Sequence, residues 1–272
     1  MVIRTASKVP EYVLCIDTSG NPGVGKAFAV GCLWFKQQNL QALGKQLQTI
    51  REVHGCESHV HFSELGREGQ RESVARDWVR FFLKSLTFQA RGNILVIPND
   101  GFDLGHYGGN RDIALNRTTK SCVLGAITRM TPELGMLRIR AHIDGGDASD
   151  PSTRNICEYI QRAISFASDV RTTMPNVLNV SAEAVRKKPL GGRGTELRAL
   201  QDLVALTDVL AGCSRLFFEP ASDHSIKNVI SKILRERTRL ASVSGRRGSP
   251  IEVQVLKFPY RSFVDLDCYL LN

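Results

Sequence analysis

The 272-residue sequence lacks the features that mark membrane proteins and repeat proteins. No apolar run approaches the length of a membrane-spanning helix, and the first residues contain no hydrophobic signal core. Internal repeats, low-complexity tracts and obvious linkers are also absent. We therefore expect a single soluble, cytoplasmic domain over residues 1–272, with a core at about 12–213 and a C-terminal basic helix and strand at 224–258.

Cysteine pairs are missing as well. The chain has seven cysteines, an odd number, and none of them belongs to a C-x-x-C pair. Because several lie inside apolar runs, they are typical of reduced core residues in an intracellular protein. His54, Cys56, His59 and His61 crowd into one short stretch, but their spacing matches no closed structural zinc site, so zinc binding is only an alternative.

The chain has fewer acidic than basic residues. The chain has 36 Lys and Arg against 27 Asp and Glu, a formal net charge of +9. This charge favours a polyanionic partner, and nucleic acid (DNA or RNA) is favoured over a membrane because no lipid-binding amphipathic stretch is visible. Whether a protein partner or a homo-oligomer is required stays open. The candidate phosphate contacts are Arg186, Lys187, Lys188 and Arg193, with Arg235, Arg237, Arg239, Arg246 and Arg247.

The apolar patterns that are present predict alternating strands and helices. The predicted strands are 12–16, 27–35, 93–97, 137–144, 176–181 and 251–257. The predicted helices are 36–53, 68–89, 111–130, 154–168, 196–212 and 224–240.

The first predicted strand ends on a carboxylate. Five apolar residues, 12–16, indicate a strand buried on both faces, and Asp17 follows them before the turn residues 19–25. A carboxylate at the end of a buried strand has lost much of its water, so it needs a donor, a cation or a metal. Asp17 is therefore the first candidate for a functional site.

The turn after Asp17 offers a competing site. Gly20 to Lys26 matches the phosphate-binding pattern G-x-x-x-x-G-K and follows an apolar strand. However, Ala27 stands where that motif needs a hydroxyl, and 27–35 is rich in strand formers where a helix would have to begin. A P-loop nucleotide triphosphatase is therefore a third, less favoured function.

A second strand also ends on an aspartate. Between 137 and 144, apolar residues alternate strictly with polar ones, and Asp144 closes the strand before two glycines. Asp144 could instead only cap a turn. The nearby Asp147 and Asp150 are substitutes for it, but they are more typical of a loop and of a helix N-cap before Pro151.

The apolar helix 196–212 carries a third unusual carboxylate. At about 100° per residue, Asp208 shares a stripe with Leu197, Gln201 and Val204, so we expect it on a packed face. Asp202 points elsewhere, beside Arg198 at i,i+4, and we expect this pair to face solvent.

These three aspartates suggest a metal centre. If the two strand ends are neighbours and the helix packs across them, Asp17, Asp144 and Asp208 converge. Like charges that close repel one another unless divalent cations neutralise them, and Mg²⁺ or Mn²⁺ prefer oxygen ligands. Two such ions about 4 Å apart can activate a water and stabilise the leaving oxygen in phosphodiester cleavage.

The order of these motifs resembles the domain of unknown function 3800 family, which is regarded as ribonuclease-H-like. The resemblance spans about residues 12–213. The family's opening is usually Asp-Glu-Ser-Gly, and Thr18 stands here where that Glu would be, which removes an accessory carboxylate. The segments that carry the resemblance are Ile16-Asp17-Thr18-Ser19-Gly20, His61 to Leu65, His142 to Asp144, and Leu200 to Asp208.

The resemblance implies an α/β fold with a ribonuclease-H-like mixed five-stranded sheet and helices on both faces. It implies a metal-dependent nuclease that uses two Mg²⁺ or Mn²⁺ ions, with catalytic metal ligands at Asp17, Glu64, Asp144 and Asp208. Asp17 would bridge the two ions.

Several residues have more than one interpretation. His61 is an accessory candidate for proton transfer, and Gln201 is another accessory candidate. Glu64 could instead serve helix capping, because a Ser-Glu pair before a helix is common there. The alternative function is a catalytically silent nucleic-acid-binding or assembly subunit with the same fold.

Overall fold

The computed structural model describes residues 9–67, 69–84, 90–130, 135–144, 151–170, 174–185, 195–219, 225–243, 251–256 and 263–265. Its strands are β1 (Glu11–Ser19), β2 (Ala27–Lys36), β3 (Ala90–Pro98), β4 (Met136–Asp144), β5 (Asn176–Val185), β6 (Ile251–Leu256) and β7 (Phe263–Asp265). Its α-helices are α1 (Leu40–Val53), α2 (Gln70–Lys84), α3 (Arg111–Ile127), α4 (Pro151–Val170), α5 (Thr195–Arg215) and α6 (Ile226–Val243). Single 3₁₀ turns lie at Gln37–Asn39, Phe62–Glu64 and Leu104–Tyr107.

The strands form one mixed sheet in the order β5-β4-β1-β2-β3-β6-β7. The pairs β1–β2 and β2–β3 are antiparallel, whereas β4 is parallel to both β1 and β5. The predicted class, an α/β fold with a mixed sheet and helices on both faces, is confirmed. The predicted number of five strands was wrong, because β6 pairs in parallel with β3 and β7 pairs with β6.

Helices cover both faces of the sheet. Val13 and Cys15 of β1 join the apolar core that contains residues of α1, α2, α5 and α6. The intervening residues, Leu14 and Ile16, join a second core with residues of α3 and α4. This explains the continuous apolar run in β1, because a strand covered on both faces has no solvent side.

Helix α5 lies at the centre of the first layer. It approaches the sheet closely at Gly31 of β2, where an added Cβ would come within 2.9 Å of the Thr207 side chain. It approaches α1 closely as well, because a Cβ at Gly44 would overlap Ala199. None of the helices in the described part of the chain is long and apolar enough to cross a membrane.

The predicted solvent-facing position of Asp202 on α5 was wrong. Asp202 is buried, and the Arg51 side chain donates to its Oδ1 through Nε at 2.9 Å and Nη2 at 2.7 Å. Burial raises the pKa of Asp202, although the Arg51 charge opposes this shift. The sequence spacing of Asp202 and Arg198 could not show that α1 covers this side of α5.

Candidate active site

Asp17 and Asp144 are brought together at one edge of the sheet. Parallel pairing of β1 with β4 sets Ile16 opposite Ile143, and the next residue of each strand is the aspartate. Both aspartates line one cleft of about 370 Å³. Asp17 is buried and lies inside β1, which continues to Ser19, rather than just after the strand.

The rest of the cleft is lined mainly by α3. The Asn110 Oδ1 accepts from the backbone N–H groups of Asp112 and Ile113, at 2.9 and 3.1 Å, and so caps the start of this helix. The cleft therefore combines carboxylates, amides and hydroxyls with an apolar floor. Its remaining lining residues are Ile16, Thr18, Asn110, Asp112, Leu115, Asn116, Thr119, Ile143 and Ile156.

Asp208 is buried on α5, as the helical stripe predicted. Its Oδ2 accepts from the backbone N–H of Phe62 at 2.8 Å and lies 3.5 Å from the His61 Nδ1. Asp17 belongs to the same alternation as Val13 and Cys15, whose side chains face the α5 layer. Asp208 and Asp17 therefore lie on the same side of the sheet.

Glu64 has a different environment. It ends the 3₁₀ turn Phe62–Glu64, its side chain is 52% exposed, and its Oε2 accepts from Arg71 Nη1 at 2.9 Å. His61 caps the same turn, since its Nδ1 accepts from the Ser63 backbone N–H at 3.1 Å. The capping contact at this turn therefore comes from His61 and not from Glu64, for which capping was the alternative; Glu64 forms a surface ion pair.

The other predicted site residues are the accessory candidate Gln201 and the candidate phosphate contacts. Gln201 is buried on α5, six residues before the Thr207 that packs on the sheet. Arg235 lies 5.9 Å from the centre of the Phe217 ring. Arg186, Lys187, Lys188 and Arg193 lie outside the described residues, as do Asp147, Asp150, Arg246 and Arg247.

The donor chemistry of the cleft fits an oxygen-loving divalent cation, because Asp17, Asp112 and Asp144 all line it. Within the described ranges, however, no three His, Cys, Asp or Glu side chains are grouped closely enough to hold a metal ion. This also argues against the zinc alternative. There, His54 Nε2 lies 2.9 Å from an Asp77 oxygen, and Cys56 is buried.

The glycine-rich stretch from Gly20 to Lys26 forms the β1–β2 connection and not a P-loop. Gly20, Gly23 and Gly25 have φ angles of 77°, 72° and 69°, a region that favours glycine. Strand β2 begins directly at Ala27, so no helix N-terminus follows that could face a phosphate group. The prediction of a strand over 27–35, where a P-loop would need a helix, is confirmed.

His142 is a buried group that the sequence analysis used only as part of a motif. It is 1% exposed, and its Nδ1 lies 3.0 Å from the Glu183 Oε1. Burial and, to a smaller extent, the Arg140 charge together lower the pKa of His142 to about 4. The carboxylate of Glu183 would oppose this shift, but Glu183 is largely exposed, so we infer that His142 is neutral at pH 7.

Sequence reasoning missed the contribution of α3 to the cleft. Asn110 follows Gly108 and Gly109 and precedes the helix, which is a recognisable N-cap signal. That signal indicates where the helix begins. It does not indicate that Asp112 and Asn116 face the ends of β1 and β4, because this depends on how α3 packs on the sheet.

No protein-family model matches the chain, and no curated protein sequence matches it. Among solved structures, it is similar to the ribonuclease H2 from Pyrococcus horikoshii OT3, at 10% identity and a TM-score of 0.38, over 86% of this chain and 89% of that chain. It is also similar to the ribonuclease HII in the complex of PCNA and ribonuclease HII from Archaeoglobus fulgidus. That match has 18% identity and a TM-score of 0.34, over 94% of this chain and 98% of that chain.

Proposed function

We propose that this protein is a divalent-metal-dependent nuclease of the ribonuclease-H-like class, which cleaves phosphodiester bonds of DNA or RNA. One observation carries the proposal: Asp17 and Asp144 lie side by side on parallel strands and line the same cleft. Ligands of open α/β sheets bind outside the carboxyl ends of the strands, which is where these two carboxylates lie. The net charge of +9 suits a polyanionic substrate.

Each candidate residue has a distinct part in the proposed site. Asp17 and Asp144 would hold Mg²⁺ or Mn²⁺, and Asp208 and Glu64 would complete the ligand set. The bound ions would supply Lewis acidity at the phosphodiester. The N–H group of Phe62 fixes one oxygen of Asp208, so this carboxylate is already oriented by the fold. For Glu64 to join the set, its ion pair with Arg71 would have to open, and this pair is exposed and therefore weak.

A catalytically silent nucleic-acid-binding or assembly subunit is the second candidate. Two observations favour it: Glu64 is engaged by Arg71, and Thr18 supplies a hydroxyl where the resembled family has a carboxylate. Such a subunit would use the same basic surface without cleavage. It would bind nucleic acid equally well in EDTA and in Mg²⁺, and replacing Asp17 would not weaken that binding.

The test combines cleavage with metal-dependent melting. Asp17→Asn, Asp144→Asn and Asp208→Asn keep the side-chain shape and remove the charge, and Asp100→Asn is an exposed control. Single-stranded and duplex DNA, RNA and hybrid substrates are offered with Mg²⁺, Mn²⁺ or EDTA. We expect each of the three site variants to lose at least about a hundredfold in cleavage rate, because several kcal/mol of charge stabilisation disappear. The control should cleave normally.

Melting separates metal binding from folding. Wild type should gain melting temperature with Mg²⁺, because the ion binds the folded state, and Asp208→Asn should gain little. The amide oxygen of Asn can still accept from Phe62, so this variant should melt no lower than wild type in EDTA. A variant that melts far below wild type in EDTA would identify Asp208 as a structural charge. Absence of both cleavage and Mg²⁺ stabilisation in wild type would reject the nuclease.

A further inference from the structure

Two cationic side chains, Arg215 and Lys227, lie at the same end of the sheet as the candidate carboxylates. Arg215 follows Asp208 by seven residues, two helical turns, and so shares its face of α5. The side chain of Arg215 passes over Gly20, where an added Cβ would lie 2.9 Å from the Arg215 Cδ. Gly20 is the turn residue directly after β1, the strand that carries Asp17. Arg215 therefore lies at the same end of the sheet as the candidate carboxylates.

Lys227 reaches the same place from α6. Its Nζ donates to the backbone oxygen of Ser63 at 3.1 Å and lies 5.3 Å from the centre of the Phe62 ring. This 3₁₀ turn also donates the Phe62 N–H to Asp208. An ammonium group has three N–H donors, and Ser63 accepts only one of them. Lys227 thus holds the turn, and among the described residues Ser63 is the hydrogen-bond acceptor of its Nζ, so further donors can serve another acceptor.

Among the residues that the structure describes, carboxylates balance the positive charge at this position only in part. Arg215 Nη1 lies 3.5 Å from Glu219 Oε2, which also accepts the Lys26 backbone N–H at 3.0 Å. Lys227 forms no ion pair with any carboxylate in the described part of the chain. Burial lowers the pKa of Lys227 and the repulsion of Arg215 lowers it further, while Asp208 and Glu72 oppose the shift. An anion between the two cations would relieve this repulsion.

We propose that Arg215 and Lys227 form a phosphate subsite that binds a backbone phosphate of the nucleic-acid strand beside the bond to be cleaved. A guanidinium and an ammonium group are the donors that proteins use for phosphate oxygens. The subsite would hold the strand against the end of β1, where Asp17 lies. The inference rests on the proposed function, because it assigns the substrate contact of that same site.

The test measures nucleic-acid binding in EDTA, so that neither metal nor cleavage contributes. Lys227→Met keeps an unbranched side chain on Phe62 and removes the charge, and Lys227→Arg restores the charge. Lys232→Met, on the exposed side of the same helix, is the matched control. The probes are fluorescently labelled single strands and duplexes of DNA and RNA, titrated over a range of salt concentrations.

We expect Lys227→Met to weaken binding roughly tenfold, the value of one charge-assisted hydrogen bond to phosphate. The plot of log affinity against log salt concentration has a negative slope, and its magnitude should decrease by about 1 for this variant. Arg215→Gln should give a similar change, Lys227→Arg should restore the slope, and Lys232→Met should leave it unchanged. A purely structural role of Lys227 would lower the melting temperature without changing the salt slope, and that outcome would overturn the inference.

Inorganic phosphate serves as the competing probe. One contrary outcome is that free phosphate raises the melting temperature of wild type and not of Lys227→Met, while both proteins bind nucleic-acid strands with the same affinity. In that case the subsite binds small phosphates and the inference is wrong. If Lys227→Met changes the slope while no Asp variant affects any cleavage, the subsite holds and the nuclease proposal fails. If cleavage depends on Asp17 and Asp144, but the salt dependence of binding is the same in wild type and in the Lys227 and Arg215 variants, only this inference fails.

Discussion

The Arg51 guanidinium and the Asp202 carboxylate form a buried ion pair, with 2.7 Å between Nη2 and Oδ1 and side chains only 5% and 6% exposed. Arg51 also donates to the Ser58 backbone oxygen at 2.7 Å and stacks 4.7 Å from the centre of the Trp78 ring. The pair therefore joins α1 and α5 to the segment that leads to His61. Arg51 thus holds the segment at Ser58, and Asp208 holds it at Phe62.

The first prediction concerns this pair. Asp202→Leu should destabilise the fold by about 3–5 kcal/mol, because it leaves the Arg51 charge buried without a counter-charge. Adding Arg51→Met should recover part of the loss, since replacing both charges by apolar groups is far less costly than replacing one. Urea unfolding measures both free energies. Glu64→Gln, which breaks an exposed pair, is the control and should cost at most about 1 kcal/mol. A loss in Asp202→Leu no larger than the control would show that the buried pair is energetically unimportant.

The second prediction concerns the contact between Phe62 and α5. A Cβ at Gly212 would overlap the Phe62 ring, which is buried. Gly to Ala inside a helix normally stabilises by about 1 kcal/mol, but here the overlap should reverse the sign and cost about 1–3 kcal/mol. Moving Phe62 would also weaken its N–H bond to Asp208, so Mg²⁺ stabilisation should fall as well.

Gly66→Ala is the matched control for Gly212→Ala. Gly66 lies near the same turn, and an added Cβ there meets nothing within 4 Å. Its effect should stay within about 0.5 kcal/mol. The melting temperatures of the two variants are measured with and without Mg²⁺. A Gly212→Ala variant that melts above wild type would contradict the close packing of Phe62 on α5.

The third prediction concerns acid stability. Burial raises the pKa of Asp77, but the hydrogen bond from His54 and the charge of Arg76 outweigh it and hold that pKa below its usual value. A carboxylate with a lowered pKa stabilises the fold above its unfolded pKa, near 4, and loses this contribution as the pH falls through the folded pKa. The difference in unfolding free energy between wild type and Asp77→Asn should therefore be constant near neutral pH. It should shrink toward zero below about pH 4.

Urea unfolding over a series of pH values measures this difference. Asp100→Asn, at an exposed position, is the control for general acid effects. A difference between wild type and Asp77→Asn that widens toward acid pH would mean that the pKa of Asp77 is raised in the folded state.

Much of the secondary structure was predictable from local pattern. The strict alternation from Leu137 to Asp144 became β4, and the Phe- and Trp-containing run from Ala27 became β2. The prediction of β4 follows from the two-residue period of an extended chain, and that of β2 from its strand-forming residues. Neither needs knowledge of distant residues. Pairing of the first two strands was also predictable, because a short glycine-rich turn joins them.

Part of the candidate site was predictable as well. Asp144 and Asp17 each end a predicted strand, but their position side by side depends on the parallel pairing of β4 with β1, which joins residues far apart in the chain. The metal ligation by Asp17, Glu64, Asp144 and Asp208 stays a prediction, as do the single-domain organisation and the role of the basic segment at 186–193.

Local pattern was enough to predict β1 to β6, α1 to α6 and the packed position of Asp208, because each depends on neighbours within a few residues. The pairing of β6 with β3, the ion pair of Asp202 with Arg51, and the contact of Lys227 with the turn that binds Asp208 were visible only in the folded protein. These relationships join residues far apart in the chain. Helical and strand periodicities specify which face a side chain occupies, whereas the packing of whole elements decides what that face meets.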